Sequence, residues 1–322
     1  MSLKVGLAGY GRRGRGHIRA INEIETARIT SISDPVDTAR DAALNELDDI
    51  SVYASVGEMV DSGDVDAVIV AAPAHLNSVV AMDAIERGVP ILIEKPPALS
   101  LQGVVELRDA ADQSGSKVIV AFNRRCNPLI RAAIDVIRKH GSLRQIIAEF
   151  HKDIHDFTDD PRYSPEIFDL MLLESPIHSV DIVTHMAGAA VSSTNAIVKR
   201  TASPYRDVHA ALIEFENEVV CQFTAAYTAG GRLERYELHG DYVSVYLEGV
   251  NQGWVLRGGE RSDLEVPEKY ENDGVAQARC FVESVVSGLN YPEPAATLET
   301  SIATLRLCES ILDSVDSTVS AD

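Results

Sequence analysis

Between Leu3 and Phe122, short runs of aliphatic and β-branched residues alternate with stretches whose apolar residues recur at three- and four-residue spacing. The runs Val5-Gly6-Leu7-Ala8, Ile29-Thr30-Ser31-Ile32, Ala67-Val68-Ile69-Val70, Ile91-Leu92-Ile93 and Val118-Ile119-Val120 are apolar at nearly every position. That pattern belongs to strands buried on both faces of a parallel sheet. The intervening spacing predicts helices over Gly14 to Ile24, Thr38 to Leu47, Ser78 to Arg87 and Leu101 to Gln113. Alternation of this kind predicts a doubly wound parallel sheet of the Rossmann type, with helices on both faces.

After Asn127 the pattern changes. Asn127-Pro128 reads as a helix cap followed by proline at the first helical position. Strands then cluster without helices between them: Arg144 to Phe150, Thr194 to Lys199, Ala210 to Phe215, Val219 to Tyr227, Glu234 to His239, Val243 to Leu247 and Gly253 to Leu256. Several alternate apolar with polar, as in Val243-Ser244-Val245-Tyr246, so one face is buried and the other is free for solvent or another subunit. Helices near Val275 to Val286 and Thr300 to Leu312 close the chain. The expected organisation is an α/β dinucleotide-binding domain over residues 1–123 and an α+β domain over 124–322. The second is an open-faced, mostly antiparallel sheet with helices on one face, from which a terminal helix can pack back on the first domain.

A chain of 322 residues fits two such domains. Its formal charge of -20, from 29 basic and 49 acidic residues, argues against a nucleic-acid partner or an anionic membrane surface. Only 7 of the 29 basic residues are Lys, a balance suited to solubility in high salt. The longest strongly apolar run, Ala67 to Ala74, is too short to span a bilayer, and Met1-Ser2-Leu3-Lys4 opens without a signal-peptide pattern. Cys126, Cys221, Cys280 and Cys308 have no C-x-x-C spacing, which points to reduced thiols in a cytoplasm.

Gly9-Tyr10-Gly11-Arg12-Arg13-Gly14 is G-x-G-x-x-G placed directly after the first strand and at the opening of the first helix. Gly9 allows a tight turn, Gly11 lets backbone approach a pyrophosphate, and Gly14 lets the helix pack on the strand. Asp34 follows Gly14 by twenty residues and ends the second strand, from which a carboxylate reaches the adenosine ribose hydroxyls. NAD is therefore the expected cofactor. NADP is the alternative, because Arg12, Arg13, Arg15 or Arg40 could pair with a 2′-phosphate.

Two further segments carry chemistry. Glu94-Lys95-Pro96-Pro97 follows the strand Ile91-Leu92-Ile93, so Lys95 emerges at a strand's carboxyl end, where open α/β sheets bind ligands. In Glu174-Ser175-Pro176-Ile177-His178, Ser175 reads as a helix cap and Pro176 as the first helical residue, which puts His178 in the first turn. The positive end of the helix dipole there disfavours imidazolium and keeps a neutral base. Asp181 and His185 share that face. No second cluster of ligand-type residues stands out, and no metal is expected.

The order of these segments resembles the Gfo/Idh/MocA (glucose-fructose oxidoreductase, inositol dehydrogenase, rhizopine catabolism) family over nearly the whole chain. Gly9-x-Gly11-x-x-Gly14-x-x-His17, Glu94-Lys95-Pro96, Phe122-Asn123-Arg124-Arg125 with Pro128, and His178-x-x-Asp181 carry the likeness. The resemblance implies an NAD(P)-dependent oxidoreductase of a secondary hydroxyl on a sugar, cyclitol or nucleotide sugar. Lys95 and His178 are then catalytic, with Glu174 or Asp181 orienting the imidazole, and Arg124 joins Lys95 and His178 at the substrate. Arg12, Arg13, Pro73, His75, Glu94 and Lys95 line the cofactor with Gly9, Gly11, Gly14 and Asp34. It also implies a homodimer or homotetramer formed through the open sheet. A non-catalytic dinucleotide- or sugar-sensing regulator of the same fold is the alternative, and a metal-dependent hydrolase is a third class. The chain departs from the family pattern at Glu174, where Asp is common, at Pro176, where glycine is usual, and at Ala74 and Asn77, which replace Asn and His.

Overall fold

β1 (Leu3–Ala8), α1 (Arg12–Asn22), β2 (Ala27–Ser33), α2 (Asp37–Glu46), β3 (Ser51–Tyr53), α3 (Val56–Asp61), β4 (Ala67–Val70), α4 (Asn77–Ile85), β5 (Ile91–Ile93), α5 (Leu101–Ser114) and β6 (Val118–Val120) open the chain in a computed structural model. The structure describes residues 2–160, 163 and 165–315; the last seven residues of the expected second domain therefore lie outside the described ones. The six strands are parallel, in the order β3-β2-β1-β4-β5-β6. Strand order reverses between β1 and β4, so the crevice that binds ligands in such sheets lies where Gly9 and Ala71 leave their strands. β3 and α3 are additions to the expected elements. Neither is long enough to display a period, and α3 is marked by its cap, with Ser55 Oγ accepting from the Glu58 N–H at 3.2 Å.

The chain continues through α6 (Pro128–His140), β7 (Leu143–Asp153), α7 (His155–Thr158), α8 (Ile177–Ala187), β8 (Val191–Lys199), β9 (Val208–Phe215), β10 (Val220–Ala226), β11 (Thr228–Gly240), β12 (Val243–Glu248), β13 (Gln252–Arg257), β14 (Glu260–Asp263), α9 (Asp273–Ser287), β15 (Ala296–Thr297) and α10 (Leu298–Leu312). Asn127 caps α6 as expected, its Oδ1 accepting from the N–H groups of Leu129 and Ile130 at 3.0 and 3.2 Å. The second sheet runs β14-β13-β12-β11-β7-β10-β9-β8 and is antiparallel except for the β7–β10 pair. Ile146, Ala148 and Phe150 of β7, Ile213 and Phe215 of β9, and Cys221, Phe223 and Ala225 of β10 are buried. The residues between them form the solvent-facing side, where Leu212 is half exposed.

The expected boundary after residue 123 is displaced. One unit comprises Met1–Cys126 with Asn272–Ile302, and the other Asn127–Glu271 with Ala303–Asp322. The cause is α9, whose Ala278, Phe281 and Val282 belong to the same apolar cluster as Val5, Leu7, Ile18, Ile21 and Ile69. Its apolar face completes the core of the parallel sheet, and β15 then pairs antiparallel with β6. Asn123 and Arg124 are held in this unit by Asp273, at 2.8 and 3.3 Å. Among the described residues no helix is long and apolar enough to cross a membrane, and no disulfide joins the four cysteines.

His209 is fully buried on the inner face of β9. Burial and the nearby Arg206 push its pKa from 6.5 down to about 4, and contacts to the Ala225 backbone, Asp207 and Asp169 oppose this without reversing it. Because the folded value lies below the unfolded one, the unfolded chain binds the extra proton between these limits. The stability from keeping this ring neutral is complete above pH 6.5 and is lost as pH falls toward 4, about 3 kcal/mol in all. Denaturant melts of the wild type should thus lose stability steeply over that range. His209→Leu should flatten the slope, and an unchanged slope in that variant would place the acid sensitivity elsewhere.

Candidate active site

The glycine-rich turn shows why each glycine is needed. Gly9 has φ +96°, a left-handed conformation that disfavours side chains, and a Cβ there would lie 2.6 Å from the Ala71 carbonyl oxygen. A Cβ on Gly14 would meet the Gly9 carbonyl oxygen at 2.1 Å, so α1 packs on the turn only without a side chain. Gly11 differs: its φ of -80° suits any residue, and nothing lies within 4 Å of a Cβ built on it. The protein itself has no need of glycine there. The open space is a cradle that a side chain would fill, at the start of a helix with no side-chain cap, where first-turn N–H groups attract a pyrophosphate.

Asp34 is brought to this turn. Its two carboxylate oxygens accept one backbone N–H each, from Tyr10 at 3.0 Å and Val36 at 3.0 Å. A carboxylate has about four acceptor positions, so two remain for the hydroxyls of a ribose. The residues present fit a dinucleotide. Arg12 and Arg13 are exposed on the first turn of α1. Arg15 does not stand ready for a 2′-phosphate: its guanidinium lies 4.3 Å over the Tyr10 ring and is paired with Glu46, which also accepts from the Tyr10 hydroxyl at 2.9 Å. Arg40 donates to the Asp34 backbone oxygen and pairs with Asp37.

Pro73 and His75 follow β4 as exposed residues, and Pro73 accepts from the Leu76 and Asn77 N–H groups at 2.8 and 3.0 Å. Asn77 is buried, and its Nδ2 donates to the Glu94 and Pro96 carbonyl oxygens at 3.1 and 3.0 Å. It therefore grips the backbone on both sides of Lys95. Glu94 turns its carboxylate to His17 Nε2 at 2.9 Å and Arg13 at 3.7 Å, tying this loop to α1. Burial opposes its charge, but Arg13, His17 and Lys95 outweigh it and hold the carboxyl down at about 2. Lys95 itself is half-buried at the carboxyl end of β5.

In the other unit, His178 is the second residue of α8 and is buried. The expected Ser175 cap is not made. The chain arrives from a 3-10 helix over Pro165–Leu173, and Pro176 is already helical at φ -62° and ψ -20°, whereas a capping side chain needs extended backbone. Backbone closes the turn instead, with the Ser175 oxygen accepting from the His178 N–H at 3.1 Å. Asp181, fully buried, accepts from the Thr304 hydroxyl at 3.0 Å. Glu174 receives Lys152 Nζ at 3.2 Å, the Tyr163 hydroxyl at 2.8 Å and the Tyr227 hydroxyl at 3.1 Å. Burial, then the adjacent Glu174 charge, push the Tyr227 phenol well above its ordinary range, so it stays a neutral donor. A cavity of about 630 Å³ opens beside this group, lined by residues after β7, before β9 and at the start of β11, with Tyr205 and Tyr227 in its wall.

Lys152, Tyr163, Tyr227 and the gripping role of Asn77 are additions to the residues expected from sequence. Lys152 carried a signal. It continues the buried register Ile146, Ala148, Phe150, and a lysine on the inward face of a strand needs a buried partner.

Comparison with known proteins completes the picture. Residues 3–122 match the model of an oxidoreductase family with an NAD-binding Rossmann fold, and residues 130–246 match the GFO/IDH/MocA C-terminal domain. An inositol 2-dehydrogenase from Arthrobacter sp. (strain FB24) is 28% identical over 226 residues, 68% of this chain and 65% of that relative, so the chain spans less than two thirds of its length. The fold is shared with a UDP-N-acetylglucosamine 3-dehydrogenase from Acidithiobacillus ferrooxidans, at TM-score 0.83 and 18% identity over 99% of this chain and 100% of that one. It is also shared with an oxidoreductase from Agrobacterium radiobacter in complex with NAD+, L-tartaric acid and magnesium, at TM-score 0.85 and 17% identity over 100% and 98% of the two chains. With both of its family models matched in order over more than two thirds of its residues, the chain belongs to the Gfo/Idh/MocA family of NAD-binding oxidoreductases.

Proposed function

We propose that the chain is an NAD-dependent dehydrogenase acting on a secondary hydroxyl of a cyclitol, sugar or nucleotide sugar. The observation that carries this reading is the Gly11 cradle with Asp34 at its side, in the same unit as a lysine gripped at a strand's carboxyl end. NAD, when bound, supplies a hydride acceptor at the nicotinamide ring. The remaining work falls to side chains. His178, in the first turn of α8, takes the hydroxyl proton as the carbon loses its hydride. Lys95 steadies the developing alkoxide. Arg124, already oriented by Asp273, extends toward the remainder of the substrate. Glu174, held by Lys152, Tyr163 and Tyr227, and Asp181 fix the start of α8 and with it the imidazole. The cavity beside Tyr227 has room for the non-reacting part of a sugar.

Purified protein with NAD+ and a panel of cyclitols, aldoses and nucleotide sugars, assayed at low and high salt, tests the reading by growth of the reduced-nicotinamide absorbance. Turnover of one class is expected. Tight NADH binding with no turnover on the whole panel would favour a sensor instead.

The solvent-facing side of the second sheet bears Ile147, Val208, Leu212 and Ile197, with Ile197 60% exposed and Leu212 50% exposed. Strands with so much apolar surface on their outer face fit a homodimer or homotetramer formed through it, in a cytoplasmic enzyme. Light scattering at micromolar concentration should report at least a dimer, and a monomer in all salts would exclude this face as a subunit contact.

A further inference from the structure

We propose that Asp37 sets the cofactor preference by holding the Arg40 guanidinium, so that a 2′-phosphate is refused by an ion pair as well as by Asp34. The inference rests on reading the Gly9 to Gly14 turn and Asp34 as the dinucleotide cradle. Arg40 lies on α2, one turn beyond Asp37, and its Nη1 donates to the Asp34 backbone oxygen at 2.5 Å. A guanidinium that reaches this backbone oxygen is within reach of whatever group the Asp34 side chain holds. An arginine near that place is what accommodates a 2′-phosphate in sheets of this kind. The pocket thus contains both the carboxylate suited to NAD and the cation suited to NADP.

Their balance is decided by Asp37. Its carboxylate pairs with Arg40 Nη2, and the two differ sharply in exposure, at 85% for the Asp37 side chain and 20% for that of Arg40. Asp37 is the first residue of α2, a helix with no side-chain cap, whose N-terminal end favours an anion. It therefore holds the cation and places its own negative charge at the helix end that would otherwise attract a phosphate. A 2′-phosphate entering beside Asp34 meets a second negative charge, and an arginine already held by the Asp34 backbone oxygen and by the Asp37 carboxylate. Two other guanidiniums of the turn are held elsewhere. Arg15 is bound to Glu46 and stacked on Tyr10, and Arg13 lies beside Glu94.

Fluorescence titration of NADH and NADPH against the wild type, Asp37→Asn, Arg40→Ala and the double variant tests the proposal without any substrate. The wild type should favour NADH. Asp37→Asn should move the ratio of the two Kd values toward NADPH by about tenfold at low ionic strength, the size expected for one charge removed near a dianion in water. In the Arg40→Ala background the same substitution should leave the ratio nearly still. An unmoved ratio in Asp37→Asn, a shift that persists without Arg40, or a wild type that prefers NADPH would each overturn the latch. Failure of the wild type to bind either nucleotide would instead refute the cradle itself, so the two failures are separable.

Discussion

Replacing Lys95 by Met or His178 by Phe is expected to lower kcat by on the order of a hundredfold or more, and joining the two should cost little beyond the worse single change. The two groups are asked to serve one event, loss of a hydroxyl proton as charge develops on that oxygen, and groups acting as a unit are strongly non-additive. Each is prepared by its surroundings. Lys95 sits on a loop fixed by Asn77 at the carbonyls on either side, and its backbone N–H donates to the Glu94 carboxylate at 3.3 Å. His178 is buried in the first turn of α8. Both substitutions keep side-chain bulk, so folding should survive. Steady-state kinetics on the best substrate of the panel, with NADH titration as a control, decide the matter. Near-normal turnover in His178→Phe would remove it from the proton path.

Gly11→Val should weaken NADH binding by a hundredfold or more and leave the melting temperature almost unmoved. A side chain at Gly11 has an allowed backbone and no neighbour within 4 Å, so the folded protein has no reason to resist it. The space it fills is where the proposed binding mode brings the pyrophosphate to backbone N–H groups, and losing charge-assisted hydrogen bonds there costs several kcal/mol. Gly14→Ala is the contrasting case. Its methyl would stand 2.1 Å from a backbone oxygen, so the turn or the helix must move, and stability should fall along with binding. Calorimetry and titration on both variants separate the two glycines by role. Normal NADH affinity in Gly11→Val would mean that the dinucleotide lies elsewhere.

Most of the first unit was legible because its strands are continuous apolar runs with glycine and Asp placed at their ends. Ala67–Val70, Ile91–Ile93 and Val118–Val120 fall where their apolar runs put them. Strands of two to four residues such as β3, β14 and β15 escape any period, and β14 is exposed along its length. The return of α9 to the parallel sheet escapes for another reason: an apolar helix face shows that something must cover it, and not which of two sheets will. The start of α8 was misplaced by one residue because Ser-Pro is a good cap only when the preceding chain is extended, and here it is already helical. At the site, the residue types were readable and their partners were not. Arg15 is one of the arginines that the sequence offers to a 2′-phosphate, and only the fold shows Glu46 beside it. Asn77 looked like a loss relative to the family pattern, and the fold gives it two carbonyls to hold.

The central claim is the proposal that Lys95 and His178 serve one reacting hydroxyl. A crystal structure of the protein with NAD+ and a substrate from the panel tests it most directly. The account predicts the Lys95 Nζ and a ring nitrogen of His178 both at hydrogen-bond distance, about 2.6–3.2 Å, from the same substrate oxygen. A complex in which that oxygen is reached by neither, or in which the two side chains lie on opposite sides of the bound nicotinamide, would contradict it.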